Sequence, residues 1–278
     1  MPPKASTGPM CTRDSLASDL RALGLKPGET LLVHSSLSSL GWVCGGPVAV
    51  VMALLDVLGD EGTLVVPTHS GNNSDPESWG NEPVPEEWWT DIRAAMPPFD
   101  ARTTPTLGVG VVPETVRTWP GALRSCHPQT SFAAVGPRAA DIVDGHALDC
   151  RLGERSPLAR LEECGARILF LGTDFASCTA FHLAEYRVPG LMVDNSFAVM
   201  TANGRRWRTV RDTAISDDRF DELGADFERD NAVVRGEVGG AVGRLFGLAE
   251  AVAHAEGWLL RELGEGQRIR PAGDGRRR

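Results

Sequence analysis

Three short apolar runs constrain this chain more than any other feature: residues 30–33 within TLLVHSS, residues 62–67 (GTLVVP) and residues 167–171 within RILFLG. Each is too short for a buried helix and runs out into a polar or glycine-bearing turn, the pattern of a strand inside a sheet. ILFL carries no polar alternation, so both of its faces must meet protein. Between the first two runs lies PVAVVMALLDVL, a helix with Pro47 in its first turn and Gly59 as its stop. A strand, a helix and a second strand in this rhythm give an α/β chain with helices packed on a sheet.

The remaining periodicity extends the picture. A helix is expected over residues 12–23 with Thr12 as N-cap, and another over 109–118. Residues 132–135 read as a strand and 179–187 as a helix. Residues 193–212 alternate about Asn203-Gly204, a hairpin signal. A long helix over roughly 232–262 closes the chain. Residues 68–106 break the rhythm and show no period, which marks a functional loop region. At 278 residues and 42% hydrophobic content the chain can build one large core.

Charge narrows the partners. The formal net charge is −9, a poor match for nucleic acid or an acidic membrane surface and a good one for cations. Residues 72–100 hold seven acids against Arg93 alone, and residues 212–230 hold eight against Arg219 and Arg229. Trp79, Trp88 and Trp89 add flat surfaces able to stack on sugar rings or cations. The six cysteines include no CxxC pair, as expected of reduced thiols, and the N-terminal ten residues lack a leader pattern. No apolar stretch approaches the roughly 20 residues of a membrane span. A cytoplasmic location is expected, with monomer or homodimer both open.

Four segments could carry chemistry. Gly172-Thr173-Asp174 follows a buried strand, where α/β sheets place their sites. It leads into a helix on which His182 and Glu185, three apart, share a face. A carboxylate beside an imidazole holds one tautomer and makes it a better base. His34-Ser35-Ser36-Leu37 ends the first strand ahead of a glycine-rich loop and a helix, suited to a phosphate or pyrophosphate although neither GxxxxGK[ST] nor GxGxxG is present. The polar loop RSCHPQTS offers Ser125, His127 and Ser131. The two acidic regions offer carboxylates for a polycation. His69, His127 and His182 lack metal-ligand spacing, so no metal is expected. GxSxG is absent, and an acyl-cysteine route through Cys126 or Cys178 is an alternative to direct transfer.

Taken together, LLVHSSLSSLGWVCGGP, GTLVVPTHS, PPFDARTTPT, VRTWPGALRSCHPQTSFAAVG, LGERSPLARL and LGTDFASCTAFHLAEY resemble the aminoglycoside 3-N-acetyltransferase family, its actinomycete members above all. They run in the family's order from about residue 31 to 187; DNSFAVM and the acidic stretch after Asp212 match more loosely. The resemblance implies an α/β/α sandwich, a central mixed sheet flanked by helices with an irregular acidic loop insertion. It implies a single acetyltransferase domain over 11–265, with flexible tails at 1–10 and 266–278. It implies acetyl transfer from acetyl-CoA to the 3-amino group of a 2-deoxystreptamine aminoglycoside, with antibiotic resistance as the outcome. His182 falls on the family's base, with Glu185 or Asp174 as its carboxylate partner. His34, Ser35, Ser36 and Leu37 fall on the CoA contact, joined by Thr106, Ser125 and Ser131. Asp75, Glu77, Asp100, His127 and Asp212 are the implied contacts to the cationic drug. The other readings are an acyltransferase for a different small amine and a non-catalytic CoA-binding sensor.

Overall fold

The computed structural model describes residues 9–80 and 83–268. The chain opens with β1 (Met10–Cys11), α1 (Arg13–Ala22), β2 (Thr30–Ser35), β3 (Trp42–Val43), α2 (Gly46–Leu58) and β4 (Thr63–Pro67). Thr12 caps α1 through a reciprocal bond with Ser15, as its position before the apolar period demanded. Then come α3 (Trp89–Ala95), α4 (Val111–Arg117), β5 (Leu123–Arg124), β6 (Phe132–Val135), α5 (Ala139–Val143) and α6 (Pro157–Glu163). The last part comprises β7 (Arg167–Leu171), α7 (Phe181–Glu185), β8 (Met192–Thr201), β9 (Gly204–Thr213), α8 (Phe220–Asp230), β10 (Val234–Val238), β11 (Ala241–Gly247) and α9 (Leu248–Arg268).

Seven strands form the central sheet in the order β10-β11-β7-β2-β4-β6-β5. β2 runs parallel to both β7 and β4, while the outer pairings are antiparallel, so the sheet is mixed as expected. Alternate residues feed two cores. Leu32, Val65, Phe132, Ile168, Phe170 and Phe246 pack under α5 to α9, while Leu31, Val33, Leu64, Val66, Leu169 and Leu171 pack under α1, α2 and α4. The continuous apolar character of β7 is thus spent on both faces, which makes the molecule an α/β/α sandwich.

Several elements depart from the sequence reading. The helix expected over 232–262 begins only at Leu248; β10 and β11 fill its first half as a hairpin about Gly239-Gly240. Five glycines between 236 and 247 make a helix costly there, whereas Val234, Val238 and Val242 favour a strand. In the hairpin of β8 and β9, Thr201 pairs with Gly204, so the turn residues are Ala202 and Asn203 and Gly204 opens β9. The acidic segment after Ser216 folds into α8. The irregular region 68–106 contains α3. Of the expected tails, residues 1–8 and 269–278 lie outside the described residues; Met10 pairs with Trp42, and 266–268 belong to α9. Among the described residues no helix is long and apolar enough to cross a membrane.

Candidate active site

The parallel strands β2, β4 and β7 end at the same edge of the sheet, and there the chain leaves a cavity of about 950 Å³. That is near the top of the roughly 300–1,000 Å³ range of small-molecule sites. The ends of β2 and β7 are drawn close: Ser36 N–H donates to Leu171 O at 2.9 Å, and the Ser39 hydroxyl to Gly172 O at 3.2 Å. Gly172 has φ +69°, and a Cβ there would lie 2.4 Å from Ser39 Cβ, so only glycine permits this approach. Beyond it, a tight turn over Phe175–Ser177 delivers α7 to the cavity.

On α7, Nδ1 of His182 bonds Glu185 Oε2 at 2.6 Å. Glu185 Oε1 accepts Ser216 N–H at 2.9 Å, so one carboxylate fixes both the imidazole and the loop ahead of α8. The His182 ring packs against Phe220 and forms part of the cavity wall; its Nε2 is neither sealed in nor bonded to protein among the described residues. Asp174 is exposed and makes no side-chain bond to His182, so Glu185 is the partner this geometry selects.

His34, Ser35, Ser36 and Leu37 line the same cavity. Among the described residues Ser35 Oγ is buried without a hydrogen-bond partner, a polar group left for a ligand. Burial pushes His34 down to about 4, so its ring is neutral. Thr106, Ser125 and Ser131 are not part of the wall. The Ser125 hydroxyl bonds His146 Nδ1 at 3.0 Å and accepts Phe132 N–H, while Ser131 Oγ donates to Thr68 O and accepts from Arg124. Both serines tie β5 and β6 to their neighbours. Thr106 is held outside, its N–H on Glu114.

The acids expected to hold a drug are mostly engaged elsewhere. Asp75 pairs with both Arg93 Nε and Nη2, and Glu77 reaches the same guanidinium at 3.4 Å. Asp100 caps its own turn through the N–H groups of Arg102 and Thr103 and borders a separate depression. Asp212 is 1% exposed and accepts bonds from Arg151, Tyr186 and Thr213; it anchors the hairpin of β8 and β9. His127 is wholly buried, its Nδ1 accepting the N–H groups of Gln129 and Thr130 and its Nε2 donating to Leu148 O. Burial holds it well below the usual histidine range, so it is a neutral structural clamp. Most acids of α8 are matched by arginines: Glu222 with Arg219, Asp226 with Arg229 and Arg261, Glu228 with Arg244.

Two titratable wall residues were given no site role from sequence. Asp217 is the one carboxylate lining the cavity among the described residues, and His69, just past β4, is a third imidazole there. Their signal was position alone: one follows a strand's carboxyl end, the other leads into a helix. Cys178 is also on the wall, but complete burial pushes its thiol up to about 12, too high for a nucleophile at neutral pH. Among the described residues no three His, Cys, Asp or Glu side chains converge on a metal position.

Residues 32–260 match the family model described as aminoglycoside 3-N-acetyltransferase. The chain belongs to that family. Its members are acetyltransferases with acetyl-CoA as cosubstrate, so the cavity is the place to look for acyl transfer. The Bacillus subtilis protein named SPbeta prophage-derived aminoglycoside N(3')-acetyltransferase-like protein YokD is 47% identical over 90% of this chain and 92% of its own. Aminoglycoside N(3)-acetyltransferase VII of Streptomyces paromomycinus is 36% identical over 94% of this chain and 95% of its own. The crystal structure of the YokD protein superposes with TM-score 0.91 at 45% identity, covering 94% of this chain and 97% of that one. The structure of AAC-IIIb binary with CoASH superposes with TM-score 0.81 at 31% identity, covering 91% of this chain and 97% of that one.

Proposed function

We propose that this enzyme transfers acetyl from acetyl-CoA to the 3-amino group of a 2-deoxystreptamine aminoglycoside by direct attack, with His182 as general base. The observation that carries the reading is the 2.6 Å bond between His182 and Glu185 on the wall of the cavity that the HSS loop also lines. Glu185 holds Nδ1, which leaves Nε2 to receive a proton from the attacking amine and steadies the imidazolium that results. The C–N bond forms first, turning the carbonyl oxygen into an oxyanion, and the C–S bond breaks as the carbonyl re-forms. The proton on Nε2 then passes to the departing thiolate, so the enzyme ends as it began. The HSS loop, with the free Ser35 hydroxyl, suits the CoA end of the cavity.

A specific observation favours a second acceptor, another small amine. A polycationic drug calls for several carboxylates, yet among the described residues Asp217 alone lines the cavity. The experiment is a panel of aminoglycosides and simple amines with acetyl-CoA, read as CoA thiol release and, for each product, as the acetylated nitrogen by NMR. Acetylation at the 3-amino position of deoxystreptamine supports the first reading. Turnover confined to other amines overturns it in favour of the second.

A further inference from the structure

Acyl transfer needs a donor for the carbonyl oxygen as it gains charge, and the His182–Glu185 pair is occupied with the proton. His69 stands on the same cavity wall and bonds to nothing through its side chain among the described residues. Its backbone is fixed: the flanking Thr68 and Ser70 pair with Ser131 and Gln129, and its own carbonyl accepts Leu107 N–H at 2.7 Å. Its ring stands edge-on to Phe132 at 5.7 Å between centroids, so the imidazole has a packed back and an open front. Nε2 is the sealed nitrogen; Nδ1 is not sealed and, among the described residues, has no protein partner.

We propose that His69 is a catalytic residue for acyl transfer, donating its Nδ1–H to the thioester carbonyl oxygen of acetyl-CoA and to the oxyanion that oxygen becomes. Two facts fit this role. Burial, helped by the other histidines, presses His69 to about 3, so the ring stays neutral and keeps one N–H. A neutral imidazole polarises a carbonyl without competing with His182 for the amine's proton. The proton on Nδ1 is best carried where it finds an acceptor, because Nε2 faces only protein.

The proposal rests on the reading of this cavity as the acetyl-transfer site, and its test needs acetyl-CoA alone. The carbonyl carbon of acetyl-CoA labelled with carbon-13 is followed by NMR on binding to the full chain, to H69F, which keeps a ring against Phe132, and to H69Q, which keeps a donor. The wild type is expected to move the carbonyl signal downfield of free acetyl-CoA, H69F to return it toward the free position, and H69Q to restore part of the shift. In turnover H69F is expected to lower kcat by about 10²–10³-fold with KM for acetyl-CoA little changed. H69A serves as a second ablation should H69F not fold. A bound carbonyl signal identical in wild type and in the folded ablation variant overturns the proposal. An amine panel without turnover would leave that signal unmoved, so a wrong acceptor and a wrong role for His69 are told apart.

Discussion

His182 and Glu185 form a unit whose two members do different work. Under the proposed mechanism, removing the imidazole removes the proton acceptor. His182→Ala is therefore expected to lower kcat by about 10²–10⁴-fold with substrate affinity little changed, as read by CoA thiol release. Glu185 accepts from both His182 and Ser216, so Glu185→Gln keeps the shape of the site while weakening support for the imidazolium. It is expected to lower kcat less than His182→Ala does, whereas Glu185→Ala would also release the loop carrying Asp217. The pair was legible from sequence because it is local, three residues apart on one short helix. Ser125, Ser131, His127 and Asp212 were not, because their partners lie far along the chain: His146, Thr68, Leu148 and Arg151 respectively. A polar loop looks the same in sequence whether it waits for a ligand or binds itself.

At the scale of elements, α8 decides how α7 is presented. Gly224 on α8 lies against Phe175 so closely that an added Cβ would sit 2.0 Å from the Cβ of that ring. Phe175 belongs to the turn that delivers α7, and it packs on Phe181 and Phe227. Gly224→Ala is expected to destabilise the protein by about 1–3 kcal/mol in urea unfolding, through overpacking, and to lower activity with it. Neither α8 nor this contact is legible in the sequence, because eight acids in nineteen residues (212–230) mask the apolar spacing of Phe220, Leu223 and Phe227, which lie on its buried face. The strands β2, β4 and β7 were plain because pure apolar runs need no partner to be recognised. The hairpin of β10 and β11 was hidden by the helical period of α9 running on behind it, although Gly239-Gly240 between valines marked the turn.

For the whole molecule, four neutral histidines, three buried and His69 half-buried, couple stability to acidity. Burial presses His34 and His146 to about 4 and His69 to about 3, and holds His127 well below the usual range. Unfolded, each would titrate near 6.5. Between the two values the unfolded chain binds more protons, so stability present above pH 6.5 is lost as pH falls toward 4, by up to about 1.4 kcal/mol per pH unit for each group. Unfolding free energies at pH 7, 6 and 5 are expected to fall in that order, more steeply below pH 6, and His146→Asn should flatten the slope. The order of the sheet carries a consequence for how the protein is made. β7 lies between β2, from the start of the chain, and β11, from near its end. Until residues 241–247 have been made and docked, Ile168 to Leu171 are an edge of whatever part of the sheet has formed. An uncovered apolar edge is open to pairing with other chains, so the late hairpin that covers it also guards the sheet against aggregation.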